Sequence, residues 1–174
     1  MFIALDVAYS QTASGTAAIL FKDWADDTAS REISELRTGA PEAYKPGEFY
    51  KRELPCLLNV IRALPSPPAT IIVDGYVWLS ADQRPGLGAR LFETLGGEIP
   101  VVGVSKNAFR GDAFSARVLR GTSKTPLFET AARVEQTDAA RRIETMAGEH
   151  RIPTLLKRVD RLCRDVMASH EKAR

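Results

Sequence analysis

At 174 residues, 44% of them hydrophobic and 26% charged, the chain has the size and composition of one globular domain, residues 1–174, able to bury a full core. Two cysteines without pairing or zinc spacing exclude a disulfide-rich secreted module and a cysteine zinc site; no apolar run approaches the ~20 residues of a spanning helix, so a soluble, cytoplasmic protein with no membrane partner is expected. The net charge of +2 is too small to announce a nucleic-acid binder, but residues 1–100 hold 9 Lys and Arg against 13 Asp and Glu, and residues 101–174 hold 15 against 9.

Residues 2–9 are apolar almost throughout, with Asp6 set inside them, and read as a strand. Ser14 and Gly15 mark a turn, after which residues 16–21 form a second strand of small, branched and apolar side chains. Asp26-Asp27 signals another turn, and residues 31–38 alternate as a third strand, completing an antiparallel meander. Gly39, Pro41, Pro46 and Gly47 place residues 39–50 in a loop. Leu57, Leu58, Ile61 and Leu64 then recur at helical spacing over residues 55–64, with Pro55 in the first turn. Residues 70–73 are a short buried strand closed by Asp74-Gly75, of the kind found in parallel sheets. Residues 86–95 read as a helix broken by Gly96-Gly97, and residues 100–104 as a second buried strand ending at Ser105-Lys106. Strands near 116–119 and 127–131 follow, then a helix over 138–147 with Thr137 as its cap. A last helix from near Pro153 carries Leu155, Val159, Leu162, Cys163 and Val166 on one face.

Three antiparallel strands, a helix, then parallel strands alternating with helices is the order of the ribonuclease H-like α/β fold, a mixed sheet flanked by helices. In it the first and fourth strands are neighbours, which sets Asp6 beside Asp74. A carboxylate inside an apolar strand is heavily penalised unless something neutralises it. Two such groups side by side repel, and a divalent cation resolves the conflict. Mg²⁺ prefers oxygen ligands and keeps several waters, so one to three carboxylates suffice, and Glu53, just ahead of the first helix, is placed to be the third. The bland alternatives are a strand-end Asp6 paired with a basic residue and an Asp74 that serves only its Asp-Gly turn. An acidic half joined to a basic half suits carboxylates beside a phosphate-binding face, although two ordinary solvated surfaces would read the same.

Four segments resemble the endonuclease V family, nucleases that cut near deaminated bases, chiefly deoxyinosine. Leu5-Asp6-Val7-Ala8-Tyr9 looks like the family's first motif. Tyr44-Lys45-Pro46-Gly47-Glu48-Phe49-Tyr50-Lys51-Arg52-Glu53-Leu54-Pro55 looks like its second, and Ile72-Val73-Asp74-Gly75 like its third. Val102-Gly103-Val104-Ser105-Lys106, with Gly111 beyond, resembles the fourth, and Pro126-Leu127-Phe128 and Arg151-Ile152-Pro153 echo its C-terminal part. The resemblance implies a monomeric endonuclease in DNA repair that leaves a 3′-hydroxyl and a 5′-phosphate. Asp6, Glu53 and Asp74 would bind Mg²⁺ or Mn²⁺ and Lys106 would face the scissile phosphate. Tyr44, Pro46 and Gly47 would form a wedge entering the duplex beside the displaced base, with Gly75, Tyr76 and Lys106 as further nucleic-acid contacts.

Two stretches depart from the family pattern. Val77 stands where the family has a second glycine, and its His-Pro-Arg run is replaced within Tyr76-Val77-Trp78-Leu79-Ser80-Ala81-Asp82-Gln83-Arg84. Tyr76 and Trp78 are then either base-stacking platforms or core aromatics. Ala131-Ala132-Arg133 stands where the family has Gly-His-Arg; His150 reads as a surface residue at a helix start, and His170 as a bystander near the C-terminus. The departures leave two alternatives: a ribonuclease H-like nuclease with another lesion, a branched structure or RNA as its target, or a nucleic-acid-binding module that has lost turnover.

Overall fold

A computed structural model describes residues 1–39 and 50–172. Strand β1 (Phe2–Tyr9) pairs antiparallel with β2 (Ala13–Phe21), and β2 pairs antiparallel with β3 (Arg31–Thr38). Helix α1 (Tyr50–Arg62) crosses to β4 (Thr70–Asp74), which lies parallel to β1 with Leu5 opposite Val73. Helix α2 (Leu87–Thr94) crosses to β5 (Val101–Ser105), parallel to β4. β7 (Leu127–Ala132) then pairs antiparallel with both β5 and the short β6 (Ala116–Val118), giving the sheet order β3-β2-β1-β4-β5-β7-β6. Helices α3 (Gln136–Thr145) and α4 (Thr154–Lys172) complete the element order. A mixed seven-stranded sheet flanked by four helices is the architecture expected from the sequence.

Both faces of the sheet are covered, which is why β4 and β5 are apolar without alternation. Ile3, Leu5, Val7, Ile71 and Val73 join a core with α1 and α2, whereas Ala4, Ala17, Ile19, Ile72 and Val102 join one with α3 and α4. Successive strand residues point to opposite faces. Asp6 and Asp74 therefore share the face turned towards α4.

Several expected boundaries shift for identifiable reasons. Ser14 and Gly15 lie within β2 rather than in a turn, and every residue of β2 is buried. Gly15 is small because α4 rides on it: a Cβ there would come within 2.9 Å of the Cys163 carbonyl and the Met167 side chain. α1 starts at Tyr50, so Glu53 sits inside its first turn instead of ahead of it, and Pro55 lies past that turn. Glu135, in extended conformation, occupies the N-cap position of α3, and Thr137 is within the helix. Among the described residues no helix is long and apolar enough to cross a membrane.

Candidate active site

The site begins with two strands that end at the same edge. β1 carries Asp6 and β4 ends on Asp74, one register step beyond the Leu5–Val73 pair. Gly75, at φ 134°, turns the chain away after β4, and its N–H donates to the Val104 carbonyl at 3.0 Å. Gly103 makes that turn possible, since a Cβ on it would lie 2.5 Å from the Gly75 carbonyl oxygen. Helix α4 crosses the same face and contributes Asp160. One carboxylate oxygen from each of Asp6, Asp74 and Asp160 falls within 4.8 Å of the other two. Glu53 arrives from α1, and with Asp6, Asp74, Gly75, Ser105, Lys106, Asp160 and Arg164 it lines one open cleft.

The electrostatics are those of crowded acids. Burial, then the charge of Asp74, pushes the Asp6 carboxyl up to about 7, although its Oδ1 accepts a hydrogen bond from the Val7 N–H at 2.8 Å. Glu53 is only 6% exposed, and burial together with Asp6 and Asp74 holds its carboxyl well above the usual range. Lys106, leaving the end of β5, places its Nζ 2.9 Å from Asp74 Oδ2 and 3.2 Å from Asp160 Oδ1. Partial burial pulls the ammonium's pKa down, but its bonds to the two carboxylates outweigh this and hold it above its ordinary value. Partial burial likewise acts to raise the Asp160 carboxyl, but the hydrogen bonds and charges of Lys106 and Arg164 together outweigh it, so the net shift is downward. Arg164, one turn along α4, adds a second donor to Asp160 Oδ1 at 2.9 Å.

Four carboxylates thus converge on a cleft where Lys106 meets Asp74 and Asp160 and Arg164 meets Asp160. The donor set is all oxygen, with three ligand atoms close enough to share one ion, and its buried members carry proton affinities raised by burial and by mutual repulsion. Such a set fits a hard divalent cation.

The structure unites Asp6, Glu53, Asp74, Gly75 and Lys106 as the sequence led one to expect. It separates Tyr76 from the role of an open stacking platform. That ring is 7% exposed, packed against Phe109 and Phe114, and its hydroxyl donates to Asp112 Oδ2 at 2.7 Å. Trp78 also packs on the core, its Nε1 donating to the Ala131 carbonyl at 2.8 Å. Tyr44, Pro46 and Gly47 lie outside the described residues. His150 is exposed in the stretch before α4, and neither it nor His170 belongs to the acidic group.

Sequence reasoning missed Asp160. In Lys157-Arg158-Val159-Asp160-Arg161-Leu162-Cys163-Arg164 it is one charge among many, but it borders the stripe of Leu155, Val159 and Cys163 that packs α4 on the sheet. An acid at the margin of a stripe due to cover two carboxylate-bearing strands was the available signal.

Comparison with known proteins agrees with this geometry. The sequence profile of Endonuclease V matches residues 1–152. Endonuclease V of Streptomyces avermitilis is 32% identical over 161 residues, taking in 79% of this chain and 69% of that protein. Endonuclease V of Streptomyces coelicolor is 30% identical, over 70% of this chain and 59% of its own length, so the chain spans about three-fifths to two-thirds of these relatives. The crystal structure of Ciona intestinalis Endonuclease V with a 24mer DNA containing an inosine followed by a ribo-adenosine superposes with a TM-score of 0.73. That match covers 97% of this chain and 86% of that one, at 15% identity, and speaks to the fold. This chain belongs to the Endonuclease V family.

Proposed function

We propose that the chain is a divalent-metal-dependent endonuclease that hydrolyses a phosphodiester of DNA near a deaminated base, chiefly deoxyinosine, leaving a 3′-hydroxyl and a 5′-phosphate. The observation that carries this is the convergence of Asp6, Glu53, Asp74 and Asp160 with Lys106 at one edge of a ribonuclease H-like sheet, in a chain of this family. Asp6, Asp74 and Asp160 would hold Mg²⁺ or Mn²⁺, with Glu53 on its flank. Such an ion, when bound, lowers the pKa of water and neutralises charge that builds on a phosphate.

The chain's own residues do the rest. Lys106, fixed at the carboxyl end of β5, presents a cation to a non-bridging phosphate oxygen and stabilises its growing charge. Glu53 and Asp6, held at high proton affinity by burial and mutual repulsion, give up their protons more readily when positive charge enters the cleft. Tyr76 serves by packing: tied to Asp112, it steadies the loop that follows Lys106. The wedge role of Tyr44, Pro46 and Gly47, the contact of Gly75 with nucleic acid, a single domain, a monomeric state and a cytoplasmic place complete the reading. One observation favours a second target: with Val77 buried where the family has its glycine and the His-Pro absent from the stretch that follows, the base-reading surface differs, so RNA or another lesion is the alternative substrate.

Purified protein with Mg²⁺ or Mn²⁺, matched DNA and RNA oligonucleotides with and without one inosine, and an Asp6→Asn control test the reading. Inosine-dependent cutting that needs both metal and Asp6 is expected. Metal-dependent cutting indifferent to inosine would move the target, and no cutting by folded protein would leave a binding module.

A further inference from the structure

Lys106 lies at the end of β5, yet its ammonium meets Asp160 on α4, an element reached only after β6, β7 and α3. Something must hold the end of β5 against the start of α4, and the described contacts identify it. Arg151, three residues before α4, donates from Nη2 to the backbone carbonyl of Lys106 and, at 2.7 Å, to that of Pro126 just ahead of β7. Its Nε is buried without a partner among the described residues, and both bonds leave from one nitrogen. Arg151 is held in turn. Arg120, 4% exposed, donates to the carbonyls of Glu144, Met146, Gly148 and His150 and, at 3.5 Å, to that of Arg151 itself.

We propose that Arg151 is a positioning residue of the nuclease site: by fastening the Lys106 peptide to the foot of α4, it sets the Lys106 ammonium between Asp74 and Asp160. This deepens the nuclease reading and rests on it. A guanidinium suits the task because its donors are fixed in a plane, whereas a flexible ammonium holds two carbonyls less well. Neither of these two Arg151 bonds goes to a carboxylate or to the ammonium. Its effect on the chemistry passes through where it places the Lys106 peptide against α4, and this separates positioning from a general contribution to stability.

Two measurements test it. With ¹⁵N-lysine-labelled protein at low temperature, the slowly exchanging Lys106 ammonium gives a ¹H–¹⁵N signal, assigned by its loss in Lys106→Met. That signal is expected to broaden away in Arg151→Met and to return in part in Arg151→Lys, which also serves if Arg151→Met does not fold. An unchanged signal in a folded Arg151 variant overturns the proposal. In cleavage, Arg151→Met is expected to lower kcat about tenfold or more with KM within about twofold, and to have little further effect in the Lys106→Met background. Equal losses in both backgrounds overturn it. Should the native protein cut nothing, the nuclease reading fails while the ammonium signal still decides whether Arg151 places Lys106.

Discussion

Two regions of this sheet bury acids, and they do so to different ends. On β1, Asp6 lies in a cleft with three other carboxylates and the Lys106 ammonium, and its carboxyl is pushed up to about 7 by burial and by Asp74. Three strand positions away across the sheet, β7 buries Glu129 completely, with neither carboxylate oxygen partnered among the described residues. Burial alone pushes that carboxyl up to about 8, and no charged group contributes. A raised proton affinity is therefore not by itself the mark of a site. Asp6 has company, a cation and an opening, which make its repulsion something an ion can relieve; Glu129 has none of these, and its carboxyl stays protonated inside the core.

The largest expected effect of breaking this contrast is on catalysis. Asp74→Ala or Asp6→Asn should lower cleavage by about a thousandfold or more. Without metal, Asp6→Asn should also raise the melting temperature, because a crowded, buried acid is gone. Glu129→Leu should leave cleavage intact. Lys106→Met comes next, with a loss of about ten- to a hundredfold in kcat, since one charge-stabilising donor is removed.

The two buried acids also respond differently to pH. Glu129 has a folded-state pKa near 8 against an ordinary 4.5, so the folded protein prefers the protonated form. Below about pH 4.5 both states are protonated and Glu129 exerts no pH-dependent effect; as pH rises towards 8 the unfolded chain ionises first and stability falls. Native protein should therefore lose roughly 3–5 kcal/mol relative to Glu129→Leu between pH 4.5 and pH 8, as read by urea unfolding. In the proposed site Asp6 would instead couple its proton to ion binding. With its carboxyl near 7, Mn²⁺ affinity should rise about tenfold from pH 6 to pH 8, because the ion binds the deprotonated form. The smallest effect belongs to a third kind of acid, Glu32 on β3, paired at the surface with Arg158 at 2.6 Å. Glu32→Gln should change stability by less than about 1 kcal/mol.

What was legible in the sequence follows from the same physics. Asp6 and Asp74 stood out because each interrupts or ends an apolar strand, where a charge has no ordinary reason to be. The strand order then brought them together without any knowledge of side chains. Asp160 was hidden because α4 alternates bases and acids around an apolar stripe, and an acid beside that stripe looks like solvated surface until the helix is docked. Ser14 and Gly15 were misread as a turn because small residues serve tight turns and tight helix packing alike; only the position of Met167 and the Cys163 carbonyl distinguishes the two. Arg151 belonged visibly to a motif, but its task depends on where the carbonyls of Lys106 and Pro126 come to rest, which no local pattern encodes.

If α4 supplies a carboxylate to an ion site otherwise built by β1 and β4, Mn²⁺ binding measured by calorimetry at pH 8 distinguishes the native protein from Asp160→Asn. One set of binding heats is expected in the native protein, and an affinity about tenfold or more weaker in the variant. Equal affinity in the two proteins would remove Asp160 from the site.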